Sequence, residues 1–415
     1  MRIVAPPGTV DILPEEVRMD RYVESVFLEK CRLFGYSEIH TPVFEYGELF
    51  TKGIGSVTDI IEKELYTFTD KGGTHLALRP EGTTSVTRAV LQHELCRSLP
   101  AKFCYKITCY RQENPEKGRL REFHQIGAEC FGSGDPRADA EIISLAYESL
   151  TAMGVHNLRL NINSVGCEHC RVGYINELTR YLLPYANKGR LCPTCLKRLG
   201  KNPIRVLDCK NPDCKTIAKG APKLIDYICP DCLEHYNGVK AQLTAMGIEY
   251  NEKPGLMRGL DYYNRTVFDF KAGSGGAIGT VCGGGRYDTL CRRIGSDKEL
   301  PAVGFAIGEE RVVIAMSEQS PHLAEPERPA VYVVSTDAAA AALCLLELRK
   351  RRVYAEGDVI GLSETAQLSR AVSLGARWLM FPEENGFRLK NTASGEEQRI
   401  EADNWETAVK IIGEK

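Results

Sequence analysis

Between Lys102 and Glu122, six basic residues (Lys102, Lys106, Arg111, Lys117, Arg119 and Arg121) stand against three acids (Glu113, Glu116 and Glu122). That is a local net charge of +3 in a chain whose formal charge is -2. The spacing predicts a hairpin: a strand ends in Arg111, a loop holds Pro115 and Gly118, and Arg119 and Arg121 open the return strand. Such a hairpin can hold guanidinium groups against phosphate oxygens with little loss of side-chain freedom. From charge alone, a solvated basic loop is the commoner outcome. The return strand adds a second signal, because Gln125 and Glu129 share a face with Gly127 between them. An acid on an inward face is costly to bury without a cationic or hydrogen-bonding partner, and the glycine leaves room for a ligand.

A second group of chemically able residues is the cysteines. Eight of the sixteen lie singly, and residues such as Cys31 and Cys344 sit in apolar stretches as small buried hydrophobes. The other eight fall between Cys167 and Cys232. Cys167 and Cys170, Cys192 and Cys195, and Cys229 and Cys232 have the CxxC spacing of metal knuckles, and Cys209 and Cys214 form a looser pair. LCPTC and ICPDC resemble each other, so the expected four-thiolate zinc set is Cys192, Cys195, Cys229 and Cys232. The competing reading is a set of reduced, free thiols.

These residues need elements to hold them. The spacing of Val17, Tyr22, Val23, Val26, Phe27, Cys31 and Phe34 predicts an opening amphipathic helix that stops at Gly35. SEIHTPVFEY reads as a strand interrupted at Pro42. THLALRP, AKFCYKITCYR and REFHQIGAECFG then alternate with turn signals and one helix, TTSVTRAVLQHEL. That order predicts an α+β domain with an antiparallel sheet carrying helices. Another helix is expected over Asp139 to Met153, and a strand at LRLNINSVG. From about Cys167 to Gly247 the pattern turns helical, Cys- and Lys-rich, and interrupted by Pro193, Pro203, Pro212, Pro222 and Pro230, as an insertion would be. Strand-and-glycine style resumes at RGLDYYNRTVFDF, and VGFAIGEERVVIAM reads as a strand running into a helix. SEQSPHLAEPERPA is a polar linker, after which strands and helices alternate in a small α/β domain. The expected boundaries are 1–166 and 249–324 for the sheet-bearing domain, 167–248 for the insertion and 329–415 for the last domain.

At 415 residues the chain exceeds one ordinary core, and 26% charged residues suit a globular protein. The bulk charge excludes a general polyanion binder, so any nucleic-acid surface must be local. MRIVAPPGTVDILPEE has no long apolar run and soon turns acidic, which argues against a signal peptide; no stretch is apolar enough to span a bilayer. A cytoplasmic protein without membrane contact is the expectation.

ALRPEGTTSVTRA followed by CYRQENPEKGRLREFHQIGAECFG resembles the second signature region of class II aminoacyl-tRNA synthetases in its histidyl version. RGLDYYNRTVFDF and VCGGGRYDTL resemble the two segments peculiar to histidyl-tRNA synthetases. GFAIGEERVV resembles the third class II signature, and FGYSEIHTPVFEY, with Pro42, the first. The likeness runs from about residue 7 to the C-terminus. It implies ligation of L-histidine to tRNA(His) at the expense of ATP with Mg²⁺, a homodimer built on the first signature, and a C-terminal anticodon-binding domain. Residue by residue, it implies that Glu81 and Thr83 hold the α-amino group of histidine with Gln125 nearby. Glu129, with Tyr262 and Tyr263, would meet the imidazole. Arg111 and Arg258 would be the catalytic arginines on the α-phosphate, and Arg119 and Arg311 would engage the adenine and γ-phosphate end of ATP. Taken singly, each has a plain alternative: a surface charge for Arg258, sheet packing for Tyr262 and Tyr263, a turn for Gly283 to Gly285. The ordered set points the other way.

Two departures from the family pattern stand out. Its usual R-x-E-R-P-Q loop reads RQENPEK here, with Asn114 and Glu116 in place of Arg and Gln, which is expected to alter recognition of the extra 5′ nucleotide of histidine tRNAs. The last domain carries eleven Lys/Arg against thirteen Asp/Glu over 329–415, a thin basis for holding RNA. The family's insertion generally needs no metal, which favours the free-thiol reading of the cysteines. An alternative function is a regulatory paralogue, such as the synthetase-like subunit of ATP phosphoribosyltransferase. Such subunits usually lack the C-terminal domain and parts of RGLDYY, both of which are present in this chain.

Overall fold

Helix Pro14–Leu33 opens with proline in its first turn, and Glu16 accepts the Leu13 backbone N–H at 2.9 Å. Its apolar residues recur every fourth position, so Met19, Val23, Phe27 and Cys31 share the buried face. The computed structural model describes residues 3–413 except 57, 208, 210, 274–278, 298 and 320–326. By internal packing the chain divides into two units, Met1–Ala324 and Glu325–Lys415. The middle of the expected linker, residues 320–326, lies outside the described residues.

The first unit is built on an eight-stranded sheet. Its order is Ser37–Glu38, Ala101–Tyr110, Glu122–Phe131, Ala302–Gly308, Gly279–Arg286, Asn264–Ala272, Arg159–Ser164 and Asn251–Glu252. The inner pairs are antiparallel, as the hairpin-rich order predicts, and only the short outermost strands pair in parallel. SEIHTPVFEY is two short strands rather than one interrupted strand. Ser37–Glu38 joins the large sheet, whereas Phe44–Tyr46 joins a separate three-stranded sheet with His75–Leu78 and Thr67–Thr69.

Strand alternation separates the two faces of the large sheet. Ile126, Ala128 and Cys130 pack with Val23, Phe27 and the buried face of helix Pro136–Ala152. Phe131 lies with Tyr105, Ile107, Tyr262 and Tyr287 on the opposite side. Burying each such large side chain stabilises the fold by roughly 1.5–3 kcal/mol. Glu129 shares the parity of Phe131 and is thereby committed to the second face.

The cysteine-rich segment belongs to the first unit. The helical run is broken at its prolines, as the sequence predicts: Pro193, Pro212 and Pro230 each start a new helix, where the missing N–H costs nothing, giving Pro193–Lys201, Pro212–Lys219 and Pro230–Ala245 after the long helix Glu168–Asn187. Pro230–Ala245 returns to the sheet, placing Tyr236, Val239 and Leu243 in the core. In the second unit the expected alternation appears as Val331–Val333, Ala338–Lys350, Ala355–Gly357, Glu364–Leu374 and Trp378–Glu383. Two antiparallel strands that the alternation did not announce, Gly386–Asn391 and Glu397–Glu401, extend the sheet. Among the described residues no helix is long and apolar enough to cross a membrane.

Candidate active site

The hairpin of Ala101–Tyr110 and Glu122–Phe131 sets Tyr105 opposite Gly127, and on its other side Glu129 stands opposite Gly304. Glu129 is fully buried. One carboxylate oxygen accepts the Thr83 hydroxyl at 2.7 Å and that of Tyr105 at 3.0 Å; the other accepts Tyr287 at 2.5 Å. Burial pushes its carboxyl up to about 8; those hydroxyls pull it back down, and the nearby charge of Glu81 adds to the rise. Gly127 makes room for the Tyr105 ring, whose carbon and hydroxyl would meet a Cβ at 2.5 Å, rather than for a ligand.

Glu81 precedes helix Thr83–Gln92, and its two oxygens accept the N–H groups of Thr83 at 2.8 Å and Thr84 at 2.9 Å. The carboxylate thus caps the positive end of that helix. The Tyr262 hydroxyl reaches it at 3.3 Å, and the Tyr262 and Tyr263 rings lie 4.8 Å apart. Glu81, Thr83, Glu129 and Tyr262 therefore form one buried polar cluster on the inner face.

Beside it, a cavity of about 360 Å³ is lined by Arg111, Arg119, Arg258, Arg311 and Gln125, together with Glu113 and Glu310. Arg111 is held by the Pro80 carbonyl at 2.9 Å and lies over the Phe123 ring. Arg311, in the first turns of helix Glu309–Gln319, donates to the carbonyls of Gly118 at 3.0 Å and Thr280 at 2.8 Å. Burial, then the charge of Arg119, lowers the pKa of Arg311, while Glu113 and Glu116 pull it back up. Arg119 leans on Glu113 at 3.0 Å and Glu116 at 3.3 Å. Arg258 Nε is buried with no acceptor among the described residues. A buried guanidinium nitrogen without a partner is expensive, so an acceptor placed there would be favoured.

The run Gly283 to Gly285 is not a turn. It lies within strand Gly279–Arg286, where a Cβ would collide with Arg258 at Gly283, with Phe268 and the Gly304 carbonyl at Gly284, and with Tyr263 at Gly285.

The cysteines of the insert also converge, but in other combinations than the resemblance of LCPTC to ICPDC suggests. Cys192 and Cys195 meet Cys209 and Cys214, whereas Cys229 and Cys232 meet Cys167 and Cys170. The expected set of Cys192, Cys195, Cys229 and Cys232 is thus corrected to two sets of four. Each CxxC pair sits at its own helix start, and helix packing decides which other pair comes near.

The family model for histidyl-tRNA synthetase matches residues 8–169 and 224–312. The histidine–tRNA ligase of Acetivibrio thermocellus is 43% identical over 98% of this chain and 99% of its own length. That of Caldicellulosiruptor saccharolyticus is 48% identical over 81% of this chain and 80% of its own. This chain belongs to the histidyl-tRNA synthetase family. The solved apo histidyl-tRNA synthetase of S. aureus superposes with a TM-score of 0.82 at 31% identity, covering 100% of each chain. The shared architecture of the family is the class II synthetase catalytic sheet with a separate C-terminal domain.

Within this histidyl-tRNA synthetase fold, several residues join the site that motif reading left without a role. Tyr287 and Tyr105 hold Glu129; Tyr287 sits inside VCGGGRYDTL, and Tyr105 has the inward parity of its strand. Glu310 lines the cavity and accepts the backbone N–H of His124 at 2.7 Å. Asp261, Arg171 and Arg205 brace the RGLDYY loop, and no linear signal marks them as partners.

Proposed function

We propose that this chain activates L-histidine with ATP to histidyl-adenylate and transfers the histidyl group to the 3′ end of tRNA(His). Family membership supports the reaction. The observation that carries the residue roles is the buried acid–hydroxyl cluster lying beside a cavity lined by four arginines. The histidine carboxylate attacks the α-phosphorus in line, the bond to the bridging oxygen breaks, and diphosphate leaves. The protein supplies position and charge rather than a bond of its own. In this reading Arg111 and Arg258 are catalytic, gripping the α-phosphate as charge grows there, and Arg119 and Arg311 take the adenine and γ-phosphate end. Glu81 and Thr83, with Gln125, hold the α-amino group; Glu129 accepts an imidazole N–H, and Tyr262 and Tyr263 wall the ring. A site that satisfies both ring nitrogens rejects isosteres that would leave its polar groups unpaired. Glu113 and Glu310, the hard oxygen donors of the cavity, would hold Mg²⁺, which would neutralise phosphate charge when bound. The terminal ribose hydroxyl of the tRNA then attacks the acyl carbonyl and AMP departs.

The same reading assigns 1–166 and 249–324 to catalysis, 167–248 to the insertion and 329–415 to the anticodon. It places the enzyme in the cytoplasm as a homodimer, supported by the exposed Val43, Phe44, Tyr46 and Phe68 on and beside the small sheet. For the insertion it takes Zn²⁺ as the structural ion, since tetrahedral thiolate sets suit that metal. Histidine-dependent ATP–diphosphate exchange tests the core of the proposal. The wild-type chain should exchange, and Arg258→Ala should lose ~10²–10³-fold in kcat. No exchange by the wild-type chain would leave the regulatory reading in its place.

A further inference from the structure

None of this chemistry uses the eight cysteines of the insert. In each set the four Sγ atoms lie within 4.8 Å of one another. Cys167 and Cys170 have their sulfurs 3.5 Å apart, and Cys192 and Cys209 3.8 Å apart. A tetrahedral ion with Zn–S bonds of about 2.3 Å needs sulfur–sulfur edges of about 3.8 Å. A disulfide would need about 2.05 Å, and all sixteen cysteines are free thiols. A polynuclear iron–sulfur cluster must seat its own irons and sulfides between the thiolates, and sulfurs this close leave room for one ion.

The surroundings are also those of bound thiolates. The Cys229 N–H points at Cys170 Sγ at 3.1 Å, and the Cys192 N–H at Cys214 Sγ at 3.3 Å. Such donors orient a ligand sulfur and stabilise its charge. Cys170, Cys195, Cys209, Cys214 and Cys232 are buried, where water cannot do so.

Between the members of each set, in sequence, stands an arginine that grips the RGLDYY loop. Arg171, next to Cys170, donates to the Tyr263 carbonyl and, at 3.5 Å, to that of Asp261. Arg205, between Cys195 and Cys209, pairs with the Asp261 carboxylate and donates to the Arg258 carbonyl at 3.4 Å. Arg198, three residues after Cys195, ties the same turn to Asp59 at 2.6 Å and to the Arg205 carbonyl at 3.0 Å. The backbone that carries Arg258, Tyr262 and Tyr263 is therefore held from the insert by two anchors, each rooted beside a cysteine set.

From this geometry we infer two structural Zn²⁺ sites, Cys167/Cys170/Cys229/Cys232 and Cys192/Cys195/Cys209/Cys214, which act together as positioning devices for the histidine-binding loop. The coupling to histidine rests on the roles proposed above for Arg258, Tyr262 and Tyr263; the metal count does not.

The test uses the full chain, purified without added metal or chelator and analysed by plasma mass spectrometry. Two zinc ions per chain are expected, falling to one in Cys195→Ser/Cys209→Ser and to one in Cys170→Ser/Cys232→Ser. Release of zinc from the wild-type protein by a mercurial should raise the histidine KM in ATP–diphosphate exchange by ~10-fold or more, and thiol displacement of the mercurial with added Zn²⁺ should restore it. A wild-type content of one ion or none overturns the two-site assignment, and iron in place of zinc overturns the metal. An unchanged histidine KM after release overturns the coupling. The count and the release both use the wild-type chain, so they decide the matter even where a serine variant does not fold. Absence of exchange in the zinc-replete wild type would instead count against the synthetase reading, leaving the metal sites standing.

Discussion

Glu129 shows what a single buried acid contributes. Its carboxyl is raised from 4.5 to about 8, first by burial, so the folded state prefers the proton. Because the folded value lies above the unfolded one, the resulting stabilisation is complete below about 4.5 and is lost as pH rises through about 8. In the role proposed for Glu129, function runs the other way, since the ionised form is the better acceptor of an imidazole N–H. The kcat/KM for histidine should therefore climb with pH and level off above about 8. Glu129→Gln should flatten that climb, raise the histidine KM by ~10- to 100-fold, and melt higher than wild type on the alkaline side. An unchanged pH profile in the exchange assay would remove Glu129 from the histidine pocket. Asn114 and Glu116 belong to the same scale: both are exposed, and Glu116 draws on Arg119 at 3.3 Å. With a cation absent and an acid present, tRNA transcripts with and without the extra 5′ nucleotide should differ by less than ~10-fold in charging kcat/KM. A full-strength requirement would refute that loop effect.

At the scale of elements, the site depends on strands that approach without side chains between them. Gly304 faces Glu129 across the ladder, and a Cβ there would overlap the carboxylate. Gly304→Ala should cost ~1–3 kcal/mol by overpacking and raise the histidine KM as well, read by chemical denaturation and exchange. Gly173 is the contrast, a mid-helix glycine with nothing within 4 Å of an added Cβ. Gly173→Ala should stabilise by ~0.5–1 kcal/mol and leave the histidine KM alone; equal responses would show that glycine content, not close approach, sets both. Much at this scale was legible. The opening helix, the hairpin, the strand-to-helix junction before Arg311 and the alternation of the last unit all carry strong local periodicity. The split of SEIHTPVFEY between two sheets was not, because strand pairing depends on distant partners rather than on the segment's own pattern. The prolines of the insert marked the breaks between its helices, but the same residue ends one helix or starts the next, and only the neighbouring caps tell which.

For the whole molecule, the exposed aromatics of the small sheet are the feature a partner copy would cover. Phe44 and Tyr46 are 53% and 64% exposed, and Phe44 meets Phe68 edge-on. Sedimentation should give twice the chain mass of 46.1 kDa, and Phe44→Glu with Phe68→Glu should shift the population to monomer. A monomeric wild type would refute the dimer. The sequence by itself determined the family, because long motifs in a fixed order carry their chemistry in residue types that few other sites require together. It also determined the parity that turns Glu129 inward, since strand alternation is a local rule. Tertiary structure alone decided three things: that Tyr105 and Tyr287 hold Glu129, that Arg171 and Arg205 brace the RGLDYY loop, and which cysteine pair meets which. Each joins residues far apart in the chain, and a CxxC specifies the geometry of its own helix start while leaving the second pair to the packing of the helices that carry it.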